Sequence, residues 1–151
     1  LERVRAVCED AAAGREALRG ALHDLIATIV AVMLGNPDSQ SFSQIMMQEQ
    51  IAPTAAYDIL YQGFFRKIFG AWGALLSGLT GLAPDSTELK LRTMSILGQF
   101  VIFRVGMTTT LRFLGSGQLT PEHLDCIVRF GIQQCDAIVE RFAPVRGEGC
   151  A

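Results

Sequence analysis

The sharpest candidate for chemistry in this chain is Arg104. It stands inside an apolar helical run, with Phe100, Val101, Met107 and Thr108 as its helical neighbours. No Asp or Glu occurs between Glu88 and Glu122, so no carboxylate lies within helical reach. A buried guanidinium needs a partner. The candidates are Glu49 or Asp58 from another helix, a carboxylate across a subunit interface, or an anionic ligand. Gln99, five residues earlier, is a second polar group in the same apolar helix. It reads as a structural hydrogen bond or a ligand contact.

Residues that could catalyse are scarce. The sequence has no H-E-x-x-H, no Gly-rich phosphate loop and no G-x-S-x-G elbow. His23 lies on the polar side of its helix and His123 in the first turn of another, where surface or capping roles suit both. Ser116, between two glycines, reads as a turn. Cys8, Cys126, Cys135 and Cys150 form no C-x-x-C pair. Cys126 and Cys135 fall on opposite sides of one helix, so they read as scattered thiols of a cytoplasmic protein. No catalytic residue, metal site or cofactor is expected, and the chain does not read as an enzyme.

Ligand-holding chemistry is better represented. Met33, Phe42, Met46, Met47, Tyr57, Tyr61, Phe64, Phe65 and Trp72 come from three consecutive helical stretches. Such residues can simply form a core. They can also line a mouldable pocket, because Met adapts its shape and aromatic rings stack on flat molecules. The candidate ligand-binding set is Phe42, Met46, Tyr57, Tyr61, Phe65 and Trp72, joined by Gln99, Phe103 and Arg104.

The elements that must position these residues are all helical, about six in number, with no convincing period-two strand. A short helix covers roughly Leu1–Ala12. Arg15–Leu34 is amphipathic, with Leu18, Leu22, Leu25, Ile29 and Val32 on one face, and Gly35-Asn36-Pro37 stops it. Ser41-x-x-Gln44 resembles a capping box opening a helix to about Gln50. Thr54–Thr80 follows Pro53, and its apolar stripe is wider than one packing contact needs. Asp85-x-x-Glu88 caps Glu88–Leu114. Thr120 and Pro121 open Glu122–Phe142. Residues 1–145 read as one domain and 146–151 as a frayed tail.

Glu88–Leu114 is apolar on several faces, so it must be covered from several sides. With Glu122–Phe142 it forms a hairpin suited to pairing with its twin in a four-helix bundle. Phe100, Thr108, Leu111, Leu124, Ile127, Gly131 and Ile138 are the candidate dimer contacts, with Gly131 admitting a close neighbour. Composition agrees: half of the 151 residues are hydrophobic and only 19% are charged. The net charge of −2 offers no basic patch for nucleic acid. The longest uncharged run, Ile68–Pro84, is short and broken by glycines, so no membrane span is expected. No signal peptide is visible. The chain starts at Leu1 rather than Met, as a fragment or a trimmed protein would.

The helix order, the segment Met46-Met-Gln-Glu-Gln-Ile-Ala-Pro-Thr-Ala-Ala-Tyr-Asp-Ile-Leu-Tyr61 and the segment Leu97-Gly-Gln-Phe-Val-Ile-Phe-Arg104 carry a family likeness. Over nearly its whole length the chain resembles the C-terminal domain of TetR/AcrR-type transcriptional regulators. It looks most like the branch of CecR (YbiH-like) repressors, with their acidic-x-x-x-Pro-x-x-Ala/aromatic pattern. The resemblance implies a homodimer built on a four-helix bundle. It also implies a pocket for a small amphipathic or aromatic effector, with anions among the candidates, and operator DNA read only through an N-terminal helix-turn-helix domain absent from this sequence. Two other classes compete. A small helical enzyme would need an inward carboxylate or histidine cluster, and none can be assembled. A helical adaptor would bind a partner helix in the Met-rich groove and have a closed, ligand-free core.

Overall fold

Arg15–Leu34 is the helix around which the others pack. Gly14, in extended backbone, opens it and Gly35 closes it, so it has the bounds its sequence predicts. The computed structural model describes residues 2–10, 13–35 and 39–141. Among them the chain is all helical: α1 (Glu2–Glu9), α2 (Arg15–Leu34), α3 (Ser39–Ile51), α4 (Ala55–Leu60), a π-turn (Tyr61–Phe65), α5 (Arg66–Thr80), α6 (Thr87–Val105), α7 (Met107–Leu114) and α8 (Pro121–Arg141). Leu60 and Arg66 keep right-handed helical backbone at the junctions, so α4, the π-turn and α5 run on as one helix. That makes seven continuous helices among the described residues, against about six expected. Residues 36, 37 and 142–151, with the expected stop after α2, Phe142, Cys150 and the tail, lie outside the described residues.

The core of α2 is Ala21, Leu22, Leu25, Ile26, Ile29 and Val30, covered by α1, α5, α6 and α8. Because neighbours press from several sides, the buried arc is broader than the expected face. Ile26 and Val30 join it, whereas Val32 is 56% exposed. Among the described residues α2 is long and apolar enough to cross a bilayer, and α6 with α7 would be if the bent pair were one span. Here the apolar arc of α2 is taken by other helices and its polar edge is bound to α8. The two Asp136 oxygens lie 3.0 and 3.1 Å from His23 Nε2, Arg19 Nε lies 3.1 Å from Asp136, and Arg19 Nη2 lies 2.7 Å from Glu140.

The caps differ in detail from the sequence reading. α3 already starts at Ser39, which puts Ser41 inside the helix and removes the expected capping box. Ser86, rather than Asp85, caps α6 by accepting from Leu89 N at 3.3 Å. At α8, His123 Nδ1 accepts from Thr120 N at 3.1 Å while Thr120 Oγ1 accepts from His123 N at 3.4 Å. This is a reciprocal capping box in which His123 takes the position usual for Glu or Gln.

The expected helix Glu88–Leu114 is broken. At Gly106 the chain bends by 73°, so α6 and the short α7 are separate. A Cβ at Gly106 would lie 2.9 Å from Ile102 O, so only glycine lets the backbone close there. α7 buries no residue, and its Phe113 is 91% exposed. The hairpin of two long helices is therefore one long helix, one bent arm, and α8.

Three expected dimer contacts are corrected in the same region. Phe100 and Ile127 are buried, and so is Gly131. A Cβ on Gly131 would meet the Phe100 ring at 2.3 and 2.7 Å. The close neighbour that Gly131 admits is thus a ring of its own chain. Leu124 and Ile138 are half-buried against the same core, while Thr108 is exposed and Leu111 half-buried.

Gly131→Ala should destabilise the chain by about 1–3 kcal/mol through overpacking. Gly70→Ala, at a helical site with nothing within 4 Å, should stabilise it by about 0.5–1 kcal/mol. Urea denaturation followed by circular dichroism measures both. A neutral Gly131→Ala would show that Phe100 is not seated there.

Candidate functional site

The candidate site begins with four aromatic residues at a spacing of four along one helix: Tyr57, Tyr61, Phe65 and Phe69. Tyr57 and Tyr61 stack with ring centroids 6.1 Å apart, and Phe65 and Phe69 stack at 5.8 Å. Tyr57 also lies 6.4 Å from Phe65, and Phe64 meets Phe65 edge-on at 5.6 Å. From α3, Phe42 meets Phe64 edge-on at 5.7 Å. Tyr61 is 39% exposed and Phe42 45%, so these rings make a half-open ladder.

The π-turn explains why the ladder holds its line. In an ordinary α-helix a spacing of four drifts by about 40° per step. The extra residue of a π-turn resets the phase, and such turns are frequent at functional sites. Gly63 lies within it, with open space where a Cβ would point. The segment is anchored by Glu49, 7% exposed at the end of α3. Its two carboxylate oxygens accept from Thr54 N and Thr54 Oγ1, both at 2.8 Å, and Thr54 in turn caps α4. Glu49 is therefore committed and is not the partner of Arg104.

The structure sorts the remaining candidates. Met46 is half-buried on α3. Trp72 is fully buried, its ring tilted against Phe100 at a centroid distance of 6.1 Å. It belongs to the core, where its indole N–H has no partner among the described residues. Phe103 packs half-buried against that core. Arg104 is half-buried at the end of α6, with no ion pair or hydrogen bond among the described residues. Gln99 lies on the same flank as Arg92, seven residues earlier, and Arg92 faces Ala137 and Ile138 of α8. Gln99 therefore shares the flank that faces α8. Its buried Oε1 also has no partner among the described residues.

A shallow groove of about 360 Å³ lies between Arg92, Ala137, Ile138 and Arg141. Arg92 is held there by Glu88 at 2.6 Å. Among the described residues no three His, Cys, Asp or Glu side chains cluster as metal ligands would. Burial pushes the Cys135 thiol up to about 12, so it stays protonated and inert. Phe69 was outside the candidate residues, and Phe64 stood only in the wider aromatic group. The four-residue spacing of aromatics running on to Phe69, with an isolated glycine between, was the available signal.

Residues 18–140 match the family model described as the C-terminal domain of the HTH-type transcriptional dual regulator CecR. This chain belongs to that family. The HTH-type transcriptional dual regulator CecR of Shigella flexneri is 28% identical over 102 residues, 68% of this chain and 44% of the relative. The matched stretch thus spans less than half of the relative's length. The all-helical fold is of the TetR C-terminal type.

Deleting Gly63 should convert the π-turn to α-helix and swing Tyr57 and Tyr61 by about 100° away from Phe65. The near-ultraviolet circular dichroism of the stacked rings should fall while the far-ultraviolet helical signal stays. An unchanged near-ultraviolet spectrum would contradict the role of the π-turn.

Proposed function

We propose that this chain is the effector-sensing and dimerisation part of a transcriptional repressor that works in the cytoplasm. The observation that carries the sensing role is the half-open aromatic ladder on the π-turn. Stacked rings left partly in solvent offer flat apolar surface, which suits a small amphipathic or aromatic molecule. Operator DNA would be read by a separate helix-turn-helix domain, since this chain has a net charge of −2. Release would follow if the effector bound the DNA-free arrangement more tightly than the DNA-competent one. Two reading units must sit about one helical turn apart, so a small shift between subunits suffices.

Dimerisation is supported by the outer face of α6. Leu91, Met94, Gly98, Val101 and Val105 follow one another at intervals of three, four, three and four residues. They lie opposite the buried stripe Leu89, Thr93, Ile96, Leu97 and Phe100. Leu91 is 57% exposed and Met94 53%, and Val101, Ile102 and Val105 are exposed too. Alternating intervals of three and four are the spacing of a helix seam. A second copy supplies an equivalent stripe, and Thr108 and Leu111 on the bent arm α7 remain further candidate contacts. An obligate interface of this type buries on the order of 2,000 Å² or more.

Sedimentation of the chain at micromolar concentration should show a dimer. Met94→Glu and Val101→Glu, placed on the outer stripe, should give monomers with unchanged helical content. A wild-type monomer would contradict the dimer and favour an adaptor whose stripe takes another protein's helix. For the sensing role, the intact regulator should lose operator affinity at saturating effector. Equal operator affinity with and without it would refute regulation through the ladder.

A further inference from the structure

We infer that the ladder receives a flat aromatic anion, its ring stacked on Phe65 and Phe69 and its carboxylate held by Arg104. This rests on the effector reading and narrows it to a charge class.

Helix register brings the two parts together. α5 and α6 are packed neighbours joined by a short loop, so they run antiparallel, and the Trp72–Phe100 contact fixes their level. One turn beyond Phe100 on α6 stands Arg104. The matching step on α5 leads from Trp72 back to Phe69 and then Phe65. Around α6, Arg104 shares the flank of Leu97, away from the flank of Arg92 and Gln99 that faces α8. Beyond this level α7 bends away at Gly106, leaving the ladder end open.

Charge points the same way. Residues 57–72 and 99–114, joined through the packing of α5 on α6, hold four cations, Arg66, Lys67, Arg104 and Arg112, and one carboxylate, Asp58. The chain as a whole is at −2, so the positive charge is concentrated where the rings are. Glu49 is used by Thr54. Asp58 is exposed on α4 and forms no ion pair among the described residues. Arg66 is bound to the neutral Gln62 at 3.0 Å. A guanidinium grips a carboxylate with two parallel hydrogen bonds, and such charge-assisted bonds are the strong ones. A neutral aromatic would gain the stacking alone.

The probes are 2-naphthoate and its neutral counterpart 2-naphthamide, titrated into this chain by calorimetry. The acid should bind at least about tenfold tighter than the amide. Arg104→Gln should remove that preference while leaving amide affinity, helical content and melting temperature in place. Arg104→Lys, which keeps the charge but loses the fork, should fall between. The arginine Nε–H resonances of the unmodified chain need no variant: naphthoate should shift Arg104, and naphthamide should not. Equal affinity for acid and amide would overturn the anionic class and leave the aromatic effector standing. Binding of neither probe would overturn both. A preference that survives in Arg104→Gln, or a shift confined to Arg66 or Arg112, would overturn the assignment to Arg104.

Discussion

The seat of Phe100 on Gly131 is the contact on which the rest of the structure depends. No other residue at 131 leaves room for the ring, since a Cβ would intrude at 2.3 Å. Glycine inside a helix costs up to about 1 kcal/mol relative to alanine, and here the cost is offset by an aromatic ring filling the gap. On its other side Phe100 meets Trp72. One side chain therefore locks α6 to α8 and to α5 together. Once α6 is fixed in rotation, its inner stripe is defined, and so is what faces outward. A quarter turn of α6 toward Val101 would bury Val101 and expel Ile96.

From that rotation the two proposed surfaces follow. The outer stripe of α6 has no cover within the described chain, and its spacing fits a second helix. In the proposed site, the flank next to α5 sets Arg104 level with the aromatic ladder. A third consequence concerns coupling. α8, which seats Phe100, is tied to α2 through His23, Arg19, Asp136 and Glu140, and α2 is tied to α1 through Arg3 and Asp24 at 2.5 Å. These partly exposed pairs add little stability singly, but they fix how the first helices sit against the last. A ligand that displaced α6 would therefore be felt at both ends of the chain.

Much of the fold was legible because particular residues punctuate it. Gly14 and Gly35 bound α2, Thr54 opens α4, and Thr120 with Pro121 opens α8. The missed break at Gly106 has a physical reason. Glycine is tolerated in helices, and only the neighbouring Ile102 carbonyl and the uncovered α7 show that the chain turns there. The π-turn likewise has no sequence signature apart from Gly63. The site was legible in kind rather than in membership. Aromatic residues at helical spacing pointed to Tyr57, Tyr61 and Phe65, but the same spacing drew in Trp72, which is core. Phe100, Ile127 and Gly131 were read as interface because composition says how many faces a helix must cover. It does not say which are covered from within.

The most direct measurement of this division of α6 is isotope-filtered NMR on a sample mixed from labelled and unlabelled chains. Only contacts between copies then give cross-peaks. The expected result is cross-peaks at the methyl groups of Leu91, Met94 and Val101, with none at Ile96, Leu97 or the Phe100 ring. Cross-peaks at Leu97 or Phe100, with silence at Met94 and Val101, would show that α6 turns its other face to its twin and would contradict the account.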